Sequence, residues 1–234
     1  MANQDAAFVR REHFIFLTIG AMLLLNVPAM LFSWGWKSAA FNTGLVLSLY
    51  VLWALRHRDQ VLLSWLTFGV AAGFIELIAD SWLVHATGSL VYPADEPHLV
   101  DSPAYMPFAW TLIMTQMIGV AAWLRSKIPS LPLAALATAS FSGINIPLYE
   151  HLAKGADWWF YQATPMIYSA PYYIILGEFL IGLPLVVFAQ RMECGSKAKA
   201  LAYGVLSGLS ILAAYRLAWW LVGPCTGAVI QFTC

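Results

Sequence analysis

Seven runs of apolar residues, each long enough to cross a bilayer, constrain this chain more than any other feature of its sequence. A transmembrane helix needs about 20 apolar residues. The composition agrees, because 61% of the residues are hydrophobic and only 10% are charged, whereas soluble domains are about 25% charged. The sequence predicts one all-α integral membrane domain, 1–234, a seven-helix bundle with spans at 14–32, 39–55, 61–85, 103–124, 131–150, 169–190 and 199–221.

The basic residues of the short loops predict how the bundle is oriented. Cytoplasmic loops of membrane proteins are enriched in Lys and Arg. Only Lys37 and Lys154 fall on one side of the predicted bundle. The other side carries Arg10, Arg11, Arg56, Arg58, Arg125, Lys127, Arg191, Lys197 and Lys199. We therefore expect a cytoplasmic N-terminus, an outer C-terminus and, with short loops and no cleavable signal peptide, a bacterial inner membrane.

Two long connections on the outer side, 86–102 and 152–168, predict an internal repeat. Asp80 precedes Tyr92 by twelve residues, and Glu150 precedes Tyr161 by eleven. "SPAY" at 102–105 matches "SAPY" at 169–172. The two units, about 61–124 and 131–190, would cross the membrane in the same direction, and parallel repeats of this kind place binding sites between their halves.

Acidic residues inside the spans are the candidate catalytic groups. Glu76 and Asp80 lie one helical turn apart and share a face, while Glu150 and Glu178 belong to the second unit. Carboxyls in hydrocarbon cost free energy and mark functional sites. Because like charges repel, one of Glu76 and Asp80 is expected to be protonated and able to donate a proton, with Glu76 the better candidate. The alternative is structural pairing with Arg216 or a neighbouring helix. His151 is a candidate proton acceptor.

Aromatic side chains near these acids are the candidate substrate-binding groups. Aromatic faces stabilise cations, although Trp and Tyr also form ordinary interfacial belts. The candidates are Trp82, Tyr92, Trp110, Trp158, Trp159, Tyr161, Tyr172 and Tyr173, together with Arg216.

Histidines and cysteines leave two further alternatives open. A metal site using His85, His98 or His151 is conceivable, but the chain has no His-x-x-x-His pair, so we expect no metal and no other cofactor. Cys225 and Cys234 share the outer tail and either pair in an oxidising compartment or stay free. The formal net charge of zero argues against nucleic acid as a partner.

The two long connections resemble membrane enzymes of isoprenoid metabolism. The pattern is Asp80, "TGSLVYP" and "SPAYMPFAW", and then Glu150, "WWFY" and "SAPYYIILGEF". It is similar to that of heterodimer-type lycopene cyclases, membrane carotenoid hydratases and integral-membrane meroterpenoid cyclases over about half the chain. The resemblance implies a bilayer-dissolved isoprenoid substrate, with Glu76 or Asp80 as the acid and Glu150 or Glu178 as its counterpart. His151 follows Glu150 where the carotenoid families often have proline.

Three functions follow from these features. The first is an isoprenoid cyclase or hydratase that uses a carboxylic acid to start carbocation chemistry. The second is a non-enzymatic carrier, or an accessory subunit of a membrane complex, that binds a lipid, quinone or pigment. The third is a metal-dependent lipid hydrolase or oxidase.

Overall fold

The computed structural model describes residues 2–192 and 195–224 and consists mainly of helices. The helices are α1 (Ala2–Leu31), α2 (Trp36–Arg56), α3 (Gln60–Trp82), α4 (Met106–Lys127), α5 (Leu131–Gly155), α6 (Tyr172–Gly182), α7 (Leu185–Met192) and α8 (Lys197–Val222). A π-helical turn, Leu83–Thr87, extends α3, and α6 with α7 makes one span. Seven segments of the described chain are therefore long and apolar enough to cross a membrane, which confirms the predicted seven-helix membrane bundle.

The sixth span is interrupted, although the sequence predicts one helix there. α6 ends at Gly182 and α7 begins at Leu185. Pro184 lies between them; proline has no backbone N–H and its ring clashes with the preceding turn, so it breaks a continuous helix.

Short strands in the two long connections qualify the all-α prediction. They are β1 (Leu90–Val91), β2 (His98–Leu99), β3 (Ser102–Pro103), β4 (Phe160–Tyr161), β5 (Met166–Ile167) and β6 (Ala170–Pro171). β2 pairs with β3 and β5 pairs with β6 as local hairpins. α4 and α6 consequently begin three residues later than the predicted starts at 103 and 169.

The pairing of β1 with β4 joins the two long connections to each other. Leu90 lies opposite Tyr161 and Val91 opposite Phe160 in an antiparallel ladder. The side-chain amide of Gln162 adds a hydrogen bond to the Gly88 carbonyl at 3.2 Å. Two connections about 70 residues apart in sequence thus pair with each other at the end of the bundle.

Close packing around α3 brings the central helices together. α3 packs mainly against α4 and α8, and α6 packs against α5 and α8. Gly73 lies directly against the backbone of α4, and a Cβ atom there would collide with the Pro107 carbonyl oxygen. Small residues allow this backbone approach in membranes, where van der Waals packing drives helix association.

An ion pair fixes the opposite end of α3. Arg11 Nε lies 2.7 Å from Asp59 Oδ2, and Arg11 Nη2 lies 2.9 Å from Asp59 Oδ1. Asp59 also caps α3 by accepting hydrogen bonds from the backbone N–H groups of Val61 and Leu62. The same aspartate therefore caps the start of α3 and ties α1 to it. Cys194, Cys225 and Cys234, with the predicted pairing of the last two, lie outside the described residues.

Candidate functional site

A cavity lies among the helices on the side of the two long connections. It extends roughly 15 Å along α4, because ten residues separate Met106 from Gln116, both of which line it, at a rise of about 1.5 Å each. Its polar lining includes three carboxyls, three amides and several hydroxyls, and no basic side chain is found among the described lining residues. The acids are Asp80, Glu150 and Glu178; the amides are Asn26, Gln116 and Asn145.

Asp80 is held at the end of the cavity next to the first long connection. The Tyr92 hydroxyl donates to Asp80 Oδ2 at 2.6 Å, and the Ser102 hydroxyl donates to the same atom at 2.8 Å. The Glu76 carboxyl also lies within hydrogen-bonding reach of the Asp80 carboxyl. A proton on this carboxyl would therefore sit on Oδ1, since Oδ2 already accepts twice.

Glu150 is held by the second connection in a related way. Trp159 donates its indole N–H to Glu150 Oε2 at 2.7 Å, and the Tyr161 hydroxyl lies 3.4 Å from Oε1. An indole N–H can only donate. Oε2 therefore acts as an acceptor, as a carboxylate oxygen does.

Glu178 is the third acid and lies farther along α6. The Tyr215 hydroxyl donates to Oε1 at 2.7 Å, and the Ser142 hydroxyl donates to Oε2 at 3.2 Å. Both partners also line the cavity. Sequence reasoning missed Tyr215 and Ser142, because no motif links a hydroxyl on α5 and one on α8 to an acid on α6.

The two connection tyrosines remain hydrogen-bond donors at neutral pH. Burial raises the pKa of the Tyr92 phenol well above its usual range, and the neighbouring Asp80 raises this pKa further. Burial likewise raises the pKa of Tyr161, with Glu150 as the next cause. Each phenol therefore keeps the proton that it donates to its acid.

Glu76 is the predicted acid that the structure separates from the cavity. Its side chain is fully buried and is not part of the lining, and its carboxyl lies within hydrogen-bonding reach of the Asp80 carboxyl. Asp80, one turn farther along α3, lines the cavity instead. The candidate proton donor on this helix is thus Asp80, because only Asp80 can meet a ligand there.

The predicted aromatic residues divide between the cavity and its surroundings. Tyr92, Trp110, Trp159 and Tyr161 line the cavity. Those outside the lining make contacts of other kinds. Trp158 donates to Ser38, Tyr173 bonds Ser89, Trp82 packs under Arg216, and Tyr172 is exposed.

The predicted histidines and arginine lie outside the cavity. His151 and Arg216 are exposed and do not line it. His85 lies 2.7 Å from Asp101 Oδ1, and the Ser81 hydroxyl donates to Asp101 Oδ2 at 2.6 Å. These two partners lower the pKa of the Asp101 carboxyl, Ser81 most strongly. Within residues 2–192 and 195–224 no three His, Cys, Asp or Glu side chains form a group able to hold a metal.

Lining residues that are also exposed indicate that the cavity has a mouth on the side of the bundle, between α1 and α5. Phe141 and Asn145 of α5 line the cavity and are also exposed at the surface of the bundle. Ile19 and Leu23 of α1 form the facing edge and are half-buried. Because both helices are membrane-length spans, this mouth faces lipid.

Comparison with protein families gives one match. The model of a family described as "Domain of unknown function (DUF6989)" matches residues 77–222. The chain belongs to this family. Comparisons with curated proteins and with solved structures find no match. The matched region of this DUF6989 protein contains the three cavity acids and both long connections, and it begins one residue after Glu76.

Proposed function

We propose that the protein is a membrane isoprenoid cyclase or hydratase in which Asp80 starts the reaction by protonating the substrate. The observation that carries the proposal is the arrangement of Asp80 in an aromatic cavity, with Tyr92 and Ser102 both donating to Oδ2. A carboxylic acid held in this way presents its proton from Oδ1. Of the four acids predicted from sequence, Asp80 combines this geometry with a place in the lining.

Side chains that line the cavity can supply and take back the one proton that the reaction needs. The Oδ1–H bond of Asp80 breaks as the proton adds to a substrate alkene or epoxide, which leaves a carboxylate and a carbocation. The cation then accepts electrons from a second alkene, closing a ring, or from water. Loss of a proton to Glu150 gives the neutral product, and return of that proton to Asp80 completes the cycle.

The lining is suited to a carbocation intermediate. The faces of Tyr92, Trp110, Trp159 and Tyr161 surround the acids, and such faces attract cations. The carboxyl oxygens of Glu150 and Glu178 add partial negative charge in a site that water reaches poorly. The absence of a basic side chain from the described lining disfavours a diphosphate substrate, since diphosphates are bound by cations.

Substitution of Asp80 in producing cells tests this function. Cells expressing wild type, Asp80→Asn or Asp101→Asn would be extracted, and their terpenoids compared by mass spectrometry. Asp101 is the matched control, since it is an aspartate of the adjoining connection that does not line the cavity. We expect a product that appears with wild type and Asp101→Asn and disappears with Asp80→Asn.

Two results would overturn the proposed function. One is a terpenoid profile that does not change when wild-type protein is expressed and correctly folded. The other is an equal product yield from Asp80→Asn. Thermal unfolding in detergent shows whether each variant is folded.

A lipid carrier or accessory subunit is the second candidate, and the lateral mouth between α1 and α5 favours it. A carrier needs such an opening as much as an enzyme does. The discriminating measurement is the lipid that copurifies with the protein. A carrier releases the compound it was given, whereas a cyclase or hydratase releases an isomer or a hydrated form.

We also propose that the N-terminus is cytoplasmic, that the membrane is a bacterial inner membrane, and that the two long connections belong to a parallel repeat. The loop charges support the orientation. Related hairpins before α4 and α6, and the matched pairs Asp80–Tyr92 and Glu150–Tyr161, support the repeat. Labelling with a membrane-impermeant maleimide tests the orientation, because Cys225 should react from outside and Cys194 only after lysis.

A further inference from the structure

We propose that Asn26 and Gln116 form a subsite for an uncharged, oxygen-bearing head group, so that the ligand is an isoprenoid alcohol, phenol or quinone rather than a hydrocarbon. The proposal rests on the proposed function only in taking the ligand to be an isoprenoid. The two amides lie on the α1 and α4 side of the cavity, and both line it.

The two amides are close together and buried. The Gln116 amide donates to Met22 Sδ at 3.3 Å, and Asn26 is one turn, about 6 Å, farther along α1 from Met22. Asn26 is 2% exposed and Gln116 is 8% exposed. Both side chains can therefore reach one group in the cavity.

Helix packing alone does not explain these amides. Polar residues often join membrane helices, and Asn42 of α2 does so by donating to Asn26 Oδ1 at 3.2 Å. Gln116, in contrast, donates to a thioether sulfur, which is a weak acceptor, and its amide also approaches the Tyr50 hydroxyl. Much of the hydrogen-bonding capacity of the pair is left for a molecule in the cavity.

The charge of the lining decides the class of head group. An anionic head would face Asp80, Glu150 and Glu178 with no basic side chain among the described lining residues. A hydrocarbon would offer nothing to the remaining hydrogen-bonding groups of the two buried amides, which costs free energy. A hydroxyl or carbonyl oxygen satisfies the amides without adding charge.

The mouth of the cavity carries a third amide of the same kind. Asn145 lines the cavity and is exposed near the middle of α5, where an unpaired amide in contact with lipid is unfavourable. A head group that enters between α1 and α5 would meet Asn145 first and then the inner pair. The three amides thus mark a path from the lipid to the subsite.

Binding of three probes with the same tail tests the subsite. Tritiated farnesol would be bound to the full-length protein in lipid nanodiscs, with empty nanodiscs as the blank, and competed with unlabelled farnesol, farnesene or farnesyl phosphate. We expect farnesol to bind about fivefold to tenfold more tightly than farnesene, the value of one or two neutral hydrogen bonds. Farnesyl phosphate should compete least.

Variants separate the amides from the rest of the cavity. Gln116→Met and Asn26→Leu should reduce the preference for farnesol over farnesene to less than about twofold by removing those hydrogen bonds, while farnesene binding shows that the cavity is intact. Gln162→Met, which removes an amide outside the cavity, should keep the preference.

Equal affinity of wild type for farnesol and farnesene, tightest binding of farnesyl phosphate, or an equal loss of both neutral ligands in Gln116→Met would overturn the subsite. The subsite is judged from ligand binding by wild type and the amide variants, and the catalytic proposal from the products of Asp80→Asn, so failure of one gives a different result from failure of the other.

Discussion

The Tyr92 hydroxyl donates to Oδ2 of Asp80 across 2.6 Å and so ties the first long connection to the helix that precedes it. Removing this hydroxyl should weaken proton donation by Asp80 while leaving the cavity intact. We expect Tyr92→Phe to lower product formation by about 10- to 100-fold, because hydrogen bonds to charged groups contribute about 1.5–3 kcal/mol. Tyr161→Phe should have a smaller effect, since its hydroxyl lies 3.4 Å from Glu150. Product yield per folded protein, measured by mass spectrometry, compares the two, and equal losses would contradict the assignment.

Glu76 should be dispensable for the reaction. We expect Glu76→Gln to change product yield less than about threefold, because the side chain does not line the cavity and glutamine can still hydrogen-bond the adjacent Asp80 carboxyl. Yield is measured beside Asp80→Asn in the same cells. A loss as large as that of Asp80→Asn would return Glu76 to the role of proton donor.

Close approach of α3 to α4 should make Gly73 sensitive to a single methyl group. Gly73→Ala places a Cβ atom against the Pro107 carbonyl oxygen, and we expect it to destabilise the protein by about 1–3 kcal/mol. Gly44→Ala is the control, since a Cβ atom there meets nothing within 4 Å. Thermal unfolding in detergent should show a lower Tm for the first variant only.

The ion pair between Arg11 and Asp59 should stabilise the bundle at the end away from the cavity. Both side chains are buried, at 9% and 8% exposure. Arg11→Met would leave Asp59 without its charged partner, and we expect a loss of about 3–5 kcal/mol. Arg10→Met removes an exposed neighbour and should leave Tm unchanged. A similar Tm for both variants would show that the pair contributes little.

Glu96 should make the first hairpin sensitive to pH. Burial, with Asp95 nearby, raises the pKa of Glu96 to about 8, and neither carboxyl oxygen has a partner among the described residues. A raised pKa means that the folded hairpin prefers the protonated acid. The contribution of protonated Glu96 to the stability of the hairpin is complete below the unfolded pKa of 4.5. This contribution is lost as the pH rises through about 8.

Hydrogen exchange of residues 92–105 measures this effect. After correction for intrinsic rates, protection should fall between pH 6 and pH 9 in wild type. Glu96→Gln cannot ionise and should show the same protection at both values. A parallel fall in the variant would assign the change to another group.

The membrane spans could be predicted from the sequence, whereas the polar partners of the site could not. Hydropathy depends on runs of residues in one stretch, so the seven spans match within a few residues at most ends. The bonds from Ser142 and Tyr215 to Glu178 join three different helices. The choice of Asp80 over Glu76 likewise depends on how α3 is rotated in the bundle, which the spacing of two acids does not determine.

The ends of the helices show a second limit. The runs that precede α4 and α6 are apolar enough to continue a helix, but the local hairpins take up Ser102, Pro103, Ala170 and Pro171. The partners of a β-ladder lie in another part of the chain, so a local pattern gives little warning of it. Pro184 is the residue in the sequence that indicates the break in the sixth span.

The pairing of β1 with β4 has a consequence for how material reaches the acids. Leu90 and Tyr161 face each other in that ladder and both form part of the cavity wall, so the ladder shields the acids from the aqueous side while the lateral mouth faces lipid. Turnover should then depend on the mole fraction of substrate in the bilayer and not on its bulk concentration. Diluting a fixed amount of substrate with inert phospholipid would slow the reaction, and the membrane would serve as both reservoir and solvent.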